Sequence, residues 1–375
     1  MEEEGQNQAL KRIRFEEEDE DRTSKLADSL LVEIISRLPT TKDAIRTAAL
    51  SKRWKHLWTA VTSLVFLHPY DSNHYANPSF FSHVNKTLTQ RGQSKLNKFR
   101  LHTYYHDHLH ESHINDWIRY AVHCNVEDLH LSLRDHVRGF AFPLDQFVFI
   151  NSCLTNLTLL ACAFNPTGVI SWKSLRKLCI VYGNLDEDLI GNILSGSPVL
   201  ETLVLKHCYG YRRLDITSKS LKNLVFTGYM HNYTTDIIEI NAPNILSLKI
   251  QSVLVLRKIL LLNVSSLVEA HLDYTKRIHH FGKPAEEAEE EMLTGLILNL
   301  LHVKNLKFGT FCSKVNLLFI WQFVSLIFVK DINYFGTGFG CERGKRWAGV
   351  VDRLKAKGFL SPSNLKVLNV ISSPL

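Results

Sequence analysis

The sequence predicts an α/β chain, with a small helical module at the N-terminus and a long array of strand-bearing repeats behind it. Three observations predict this. Nine copies of an apolar-x-x-apolar-x-apolar pattern follow residue 120. Residues 23–58 carry an apolar stripe at three- and four-residue spacing, the mark of a one-sided helix. A chain of 375 residues is also too long for one ordinary core and suits several domains or one elongated array.

The balance of 45% hydrophobic and 22% charged residues belongs to a soluble folded protein and excludes a mostly disordered, collagen-like or multi-spanning chain. Net charge is +7, unevenly spread. Residues 1–22 hold nine acids and four bases, a net of −5, so residues 23–375 carry +12. That excess is dispersed. It favours acidic partners only weakly and lacks the dense stripe of a nucleic-acid binder. Seven scattered cysteines, none in a C-x-x-C pair, and an acidic N-terminus without a signal peptide point to a reducing compartment, nucleus or cytoplasm. The longest apolar run, Val315–Val329, is fifteen residues and is broken by Asn316, Gln322 and Ser325, against about 20 for a bilayer span. No membrane partner is expected.

Residues 1–22 read as a disordered acidic tail. Its cluster Lys11-Arg12-Ile13-Arg14 fits either ordinary solvated charge or a nuclear import signal. A first helix follows with Leu26, Leu30, Ile34, Ile35 and Leu38 on its stripe, Asp28 and Ser29 as candidate N-caps, and Pro39 as its stop. A second runs through Asp43–Leu50, with Thr41 as its candidate cap. Ser51 opens a third, bearing Trp54, Leu57 and Trp58. Three helices this short cannot bury all of that surface, so an apolar face containing the two tryptophans is left for a partner or a neighbouring domain.

The blocks Leu26-Ala27-Asp28-Ser29-Leu30-Leu31, Arg37-Leu38-Pro39-Thr40-Thr41-Lys42-Asp43-Ala44 and Leu50-Ser51-Lys52-Arg53-Trp54-Lys55-His56-Leu57-Trp58 resemble an F-box, in the form found in the large plant F-box and leucine-rich-repeat family. One departure is Ala27, where the family has proline. Alanine leaves the start of the helix less rigid and removes an apolar contact. The F-box is assigned residues 23–68, and residues 69–119 are read as a connector and cap leading into the repeats.

The pattern begins at Val126/Leu129/Leu131, Leu154/Leu157/Leu159 and Leu175/Leu178/Ile180, then Leu200/Leu203/Leu205 and Leu221/Leu224/Phe226. It continues at Ile245/Leu248/Ile250, Leu267/Ala270/Leu272, Val303/Leu306/Phe308 and Leu365/Leu368/Val370. Successive copies start 28, 21, 25, 21, 24 and 22 residues apart, then 36 and 62. Leucine-rich repeats run about 20–29 residues, with a strand on the motif and a helix or turn on the return path. Residues 120–310 are therefore leucine-rich repeats and residues 311–375 irregular terminal ones. Cys162 and Cys208 stand three residues beyond the last apolar position, where small buried groups close the turn.

Other segments resemble the same family: the amphipathic Leu185–Leu194, Ser197-Pro198 where the family has Cys-Pro, Glu239–Ile245, and Leu301–Leu306. Members often continue into a further strand-rich FBD domain. The chain ends at Leu375 with no clear sign of one, so that domain is expected to be missing or the product short.

No catalytic constellation emerges. His102, His106, His108, His110 and His113 are dense enough for a metal site but lack supporting cysteine or carboxylate geometry, and an exposed connector is the plainer reading. Gly336-Thr337-Gly338-Phe339-Gly340 with Gly344-Lys345 fails the phosphate-loop test, because Phe339 and Arg346 fill the required glycine and Ser/Thr positions. Glu286–Glu291 holds five acids and reads as a solvated face or a docking site for a basic partner.

The resemblance implies a non-catalytic substrate-recognition subunit of an SCF-type ubiquitin ligase, with no cofactor. Its F-box would bind a Skp-type adaptor, and through it cullin, using Leu26, Leu30, Ile34, Leu38, Pro39, Leu50, Trp54 and Trp58. Target contacts are expected at strand positions facing away from the core, among them Lys177, Thr202, Lys206, Asn223, Lys249, Glu269 and His271, with Asp128, His130, Asn156, Thr158 and Gln251 beside them. The alternative is a repeat-based interaction protein whose F-box, degenerate at Ala27, never joins a ligase.

Overall fold

The computed structural model describes residues 25–68, 78–104, 110–134, 141–228, 237–254, 258–276, 292, 295–300, 302–309 and 367–370. The acidic tail, Glu286–Glu291, Val315–Val329, the glycine-rich stretch from Gly336, Cys312 and Cys341 lie outside them. The chain divides into two compact units, with the boundary between Leu129 and His130.

The first unit begins with helices α1 (Asp28–Ser36), α2 (Thr41–Arg46) and α3 (Trp54–Leu57), with 3-10 turns at Thr47–Ala49 and Trp58–Ala60. Strand β1 (Ser63–Leu67), helix α4 (Pro78–Arg91), strand β2 (Lys98–Tyr104) and helix α5 (Glu111–His123) follow. β1 and β2 are parallel, with Ser63 opposite Lys98 and Leu67 opposite His102.

Two caps differ from expectation. Ala27, not Asp28 or Ser29, is the N-cap of α1, and it makes no side-chain hydrogen bond. The Asp28 carboxylate is taken instead by Arg53, at 2.6 Å. Thr40, not Thr41, caps α2: its Oγ1 accepts from the Asp43 amide at 3.2 Å and donates to the Asp43 carboxylate at 2.7 Å. The Thr41 hydroxyl is occupied elsewhere, accepting from the Val65 amide on β1 at 2.7 Å. The third helix starts at Trp54, three residues beyond Ser51.

The strand pattern also starts before residue 120. Val61/Leu64/Phe66 and Leu96/Phe99/Leu101 are two further copies of the repeated motif, each side chain at most 2% exposed. Within residues 69–119, read as a connector and cap, the described part holds α4, β2 and most of α5.

Arg91 joins these parts. It is 4% exposed, and all five of its N–H donors are satisfied by neutral oxygens. Nε and Nη2 donate to the Val61 carbonyl at 3.2 and 2.9 Å, and Nη2 also to Lys95 O at 2.8 Å. Nη1 donates to Ser94 O at 2.8 Å and to the Tyr120 hydroxyl at 2.9 Å, which in turn donates to Gly92 O at 2.6 Å. One side chain thus holds the end of the helical module, the turn after α4 and the last turn of α5.

The second unit holds most of β3 (Asp128–Arg134), then β4 (Phe142–Pro143), α6 (Gln146–Phe149), β5 (Asn156–Leu160), β6 (Cys162–Ala163) and β7 (Lys177–Val181). Next come α7 (Glu187–Ser195), β8 (Thr202–Lys206), β9 (Arg213–Asp215), β10 (Asn223–Thr227), β11 (Ile237–Asn241) and β12 (Ser247–Leu254). β13 (Lys258–Leu262), β14 (Glu269–Lys276), β15 (Asn305–Phe308) and β16 (Val367–Val370) complete it. Its main sheet runs β3-β5-β7-β8-β10-β12-β14-β15-β16, parallel from β5 onward. The apolar triplets from Val126 to Phe308 are all buried. At about 1.5–3 kcal/mol per buried side chain, these triplets dominate the core.

The return paths are more varied than helices or turns. α7 is a helix, its Asp186 cap accepting from the Leu189 amide at 2.7 Å. β9, β11 and β13 instead form a second parallel sheet. Their sequences explain this: Ile238/Ile240 and Ile259/Leu261 are buried at period two, the alternation of a strand. Gly196 ends α7 where a Cβ would stand 2.3 Å from the Ile170 carbonyl oxygen.

Arg91→Ala is expected to destabilise the protein by about 3–5 kcal/mol, because several buried carbonyls lose a charged donor together. Arg91→Lys, with three donors, should fall between. Urea unfolding measures both, and a loss under about 1 kcal/mol for the alanine variant would show that other groups satisfy those carbonyls.

Candidate docking surfaces

Helix α1 presents two apolar stripes. Leu31 and Ile35 face the core at 0 and 1% exposure, while Leu30 and Ile34, one turn apart on the adjacent stripe, are 49 and 50% exposed. Leu50, after the 3-10 turn, is 66% exposed, Pro39 is exposed, and Leu26 and Leu38 are half-buried. The tryptophans are not on this face. Trp54 on α3 and Trp58 in the 3-10 turn after it are buried at 7 and 6%, so both rings lie inward, beneath the surface. Arg53 ties the first and third blocks together, pairing with Asp28 and donating to the Leu26 carbonyl oxygen.

In the second unit, the expected target positions fall into rows across the main sheet. Asn156, Lys177, Thr202, Asn223, Ser247, Glu269 and Asn305 are opposite one another in register. The next outward row is Thr158, Cys179, Val204, Val225, Lys249, His271 and Lys307, and the third holds Val181, Lys206, Thr227, Gln251 and Asp273. Lys177, Lys206, Lys249 and Glu269 are exposed; Thr202, Asn223 and His271 are half-buried. Asn223 donates to the Thr202 hydroxyl at 3.1 Å and Asn305 to the Glu269 carboxylate at 3.3 Å. Asp128 and His130 lie on β3 and are half-buried.

Sequence reasoning missed Lys307 and the residues just past the strands. Ala161, Tyr182, His207 and Gly228, with Ser252 inside β12 at the equivalent place, each stand seven residues after the first apolar residue of a copy, and each has positive φ. For non-glycine residues that conformation costs on the order of 1 kcal/mol. It is offset by a hydrogen bond to the neighbouring strand: the Tyr182 amide donates to Lys206 O at 2.9 Å and the His207 amide to Thr227 O at 2.7 Å. The rings of Tyr182 and His207 stack at 5.1 Å and 15°. At Gly228 a Cβ would stand 2.3 Å from the His207 ring, so only glycine leaves room for it. Desolvation holds His207 below its ordinary pKa, with Lys206 adding to the effect. Desolvation lowers His271 as well, and Lys249 and Lys307 assist against the opposing pull of Asp273.

Cys162 and Cys208 are buried at the expected turns. The Cys208 thiol donates to Ile180 O at 3.3 Å on the neighbouring strand, and burial pushes both thiols up to about 12. His110 and His113 lie against the Phe81 ring at 4.3 and 6.0 Å; His106 and His108 lie outside the described residues. Among the described residues no three His, Cys, Asp or Glu side chains converge to hold a metal, and no helix is long and apolar enough to cross a membrane.

A family model described as the At1g61320/AtMIF1 LRR domain matches residues 88–281. An Arabidopsis thaliana protein named F-box protein At5g03100 is 34% identical over 291 residues, which is 76% of this chain and 88% of that one. This chain belongs to the plant F-box/LRR family. F-box/LRR-repeat protein 25 of Arabidopsis thaliana is 35% identical over 54% of this chain and 73% of its own length. For putative F-box/LRR-repeat protein At3g18150, from the same plant, the values are 39%, 54% and 41%. No solved structure matches.

Two outcomes follow from the shifted groups. A histidine whose folded pKa is depressed binds its proton more readily when unfolded, so it lowers stability as pH falls. The stability held by His207 and His271 is complete above their ordinary value of 6.5 and is lost as pH drops from there towards the lower folded values. Thermal melts between about pH 8 and pH 5 should show Tm falling below that point, and less steeply in a His207→Asn, His271→Asn double variant. An unchanged slope would assign the effect to other groups. At pH 8, a thiol with a pKa near 12 is ionised in only about one molecule in ten thousand. Iodoacetamide labelling mapped by peptide mass should therefore spare Cys162 and Cys208 and modify half-buried Cys153; rapid labelling of Cys208 in folded protein would contradict its placement.

Proposed function

We propose that the chain is the substrate-recognition subunit of an SCF-type ubiquitin ligase, working in the nucleus or cytoplasm. The helices that carry the F-box blocks would bind a Skp-type adaptor, and through it cullin, while the repeats bind a target protein. The observation that carries this reading is the exposed apolar set Leu30, Ile34 and Leu50 on those helices, in a chain whose relatives are named F-box proteins. Leu26, Leu38 and Pro39 would border the contact; Trp54 and Trp58 would act through the shape they give it. The chain supplies no chemistry. Holding target and charged ubiquitin on one assembly raises their effective concentration to the millimolar range typical of tethered partners, and that is the whole catalytic contribution.

One observation favours the second reading, an interaction protein outside any ligase: Ala27 gives α1 no side-chain cap. A missing cap costs about 1 kcal/mol, partly offset here by the Asp28–Arg53 pair at about 0.2–1 kcal/mol.

Co-expression with a plant Skp-type adaptor tests both. The natural sequence should co-purify with it. A Leu30→Asp, Ile34→Asp variant should lose at least about a hundredfold in affinity, since two apolar side chains worth about 1.5–3 kcal/mol each no longer bury. Both side chains are half exposed, so the variant's melting curve should stay close to the natural one. Unchanged binding would remove α1 from the contact. No binding by the folded natural sequence would favour the second reading.

A further inference from the structure

We infer that the outward face of β7, β8, β10 and β12 docks an extended acidic segment of a partner protein, with an apolar side chain set between its carboxylates. The inference rests on the target-recognition reading above and narrows it to a substrate class.

The twelve outward positions of these four strands hold three lysines, Lys177, Lys206 and Lys249, and no carboxylate. All three lysines are exposed, and none forms an ion pair among the described residues. On other faces of the second unit Arg176 pairs with Glu201, and Arg213 with Asp215 and Glu239. On this face the three lysines stand without a neighbouring carboxylate until the next strand, β14, closes the patch with Glu269 and Asp273. Such a field attracts carboxylates and repels basic partners.

Beneath the lysines lies an apolar strip. Cys179 and Val204 face outward yet are only 8 and 6% exposed, and Val225 beside them is half-buried. At the end of the strands the stacked Tyr182 and His207 rings form a flat rim, with Tyr182 44% exposed. Four strands at about 4.8 Å spacing span about 14 Å, which an extended chain at about 3.3 Å per residue crosses in four or five residues. That length places one apolar side chain over the strip with acids reaching lysines on either side. A phosphodiester backbone carries charge more densely than three spread lysines match and makes no use of the apolar strip, so an acidic protein segment fits better.

The test uses the full chain and fluorescence anisotropy with three fluorescein-labelled peptides: Asp-Glu-Leu-Val-Asp-Glu, its basic counterpart Lys-Arg-Leu-Val-Lys-Arg, and Asp-Glu-Ser-Gly-Asp-Glu, which lacks the apolar pair. A labelled oligothymidine serves as the nucleic-acid arm. The first peptide should bind at least about tenfold more tightly than the other two, and raising salt from about 0.05 M to 0.3 M should weaken it. Lys177→Glu with Lys249→Glu should weaken it about tenfold and leave adaptor co-purification unchanged. Equal binding of the three peptides, or no effect of the double substitution, would overturn the inference; tighter binding of the oligothymidine would replace it with a nucleic-acid surface. Preference for the acidic peptide in a chain that fails to bind the adaptor would sink the ligase reading alone.

Discussion

An inward apolar triplet that no single strand can cover is the constraint on which the rest of the structure depends. Leu178 and Ile180 are buried only because β5 and β8 lie in register on either side. The same holds at each step, so the array is stabilised between neighbours and its two ends carry the cost. In the first unit, taken by itself, strand β1 is covered by the helices before it. Helix α2 sets its Thr41 hydroxyl on the Val65 amide of β1, and Ser36 on α1 accepts from the Thr62 amide at 3.2 Å. Backbone donors of a strand edge, a template for unwanted pairing, are thereby occupied by the helical module.

That arrangement changes what the helical module is. It is no loose appendage, because Arg91 binds the carbonyl of Val61, the residue that ends the module and begins the first apolar triplet. A buried guanidinium without a carboxylate is tolerated because every donor is matched and the acceptors are carbonyl and hydroxyl dipoles fixed by the turn and by α5. Leu30, Ile34 and Leu50 are therefore presented from a rigid base. A partner held there would have a defined direction relative to β1 and β2, as a tethering mechanism needs.

Much of this was legible in the sequence, and the failures have physical causes. The triplets from Val126 to Phe308 could be read because their core is continuous and tolerates only apolar side chains. Val61/Leu64/Phe66 and Leu96/Phe99/Leu101 follow the same rule but begin 35 and 30 residues before the next copy, since α4 and α5 lengthen the return path, and the longer step hid them. Capping was misplaced by one residue at Thr40 because adjacent hydroxyls are equivalent until the strand edge claims one. The tryptophans were assigned to the outer face because composition reports how much apolar surface exists and not which side it turns to. The stacking of Tyr182 on His207 depends on positive φ at residues not marked by glycine, which leaves no compositional trace except Gly228.

The distribution of charge separates the two candidate surfaces by chemistry. On α1 the exposed apolar groups are aliphatic, and the helix's own acids are matched in pairs, Glu33 with Arg37 and Asp28 with Arg53. Such a surface binds chiefly by burial. On β7 to β12 the exposed groups are unmatched lysines over a sunken apolar strip, a surface that selects by charge and gains affinity only if a side chain reaches the strip. Selection by sign and confirmation by fit are separable steps, and a receptor meeting many proteins needs both. Long-range attraction admits acidic segments quickly, and the strip retains those with an apolar residue at the right spacing.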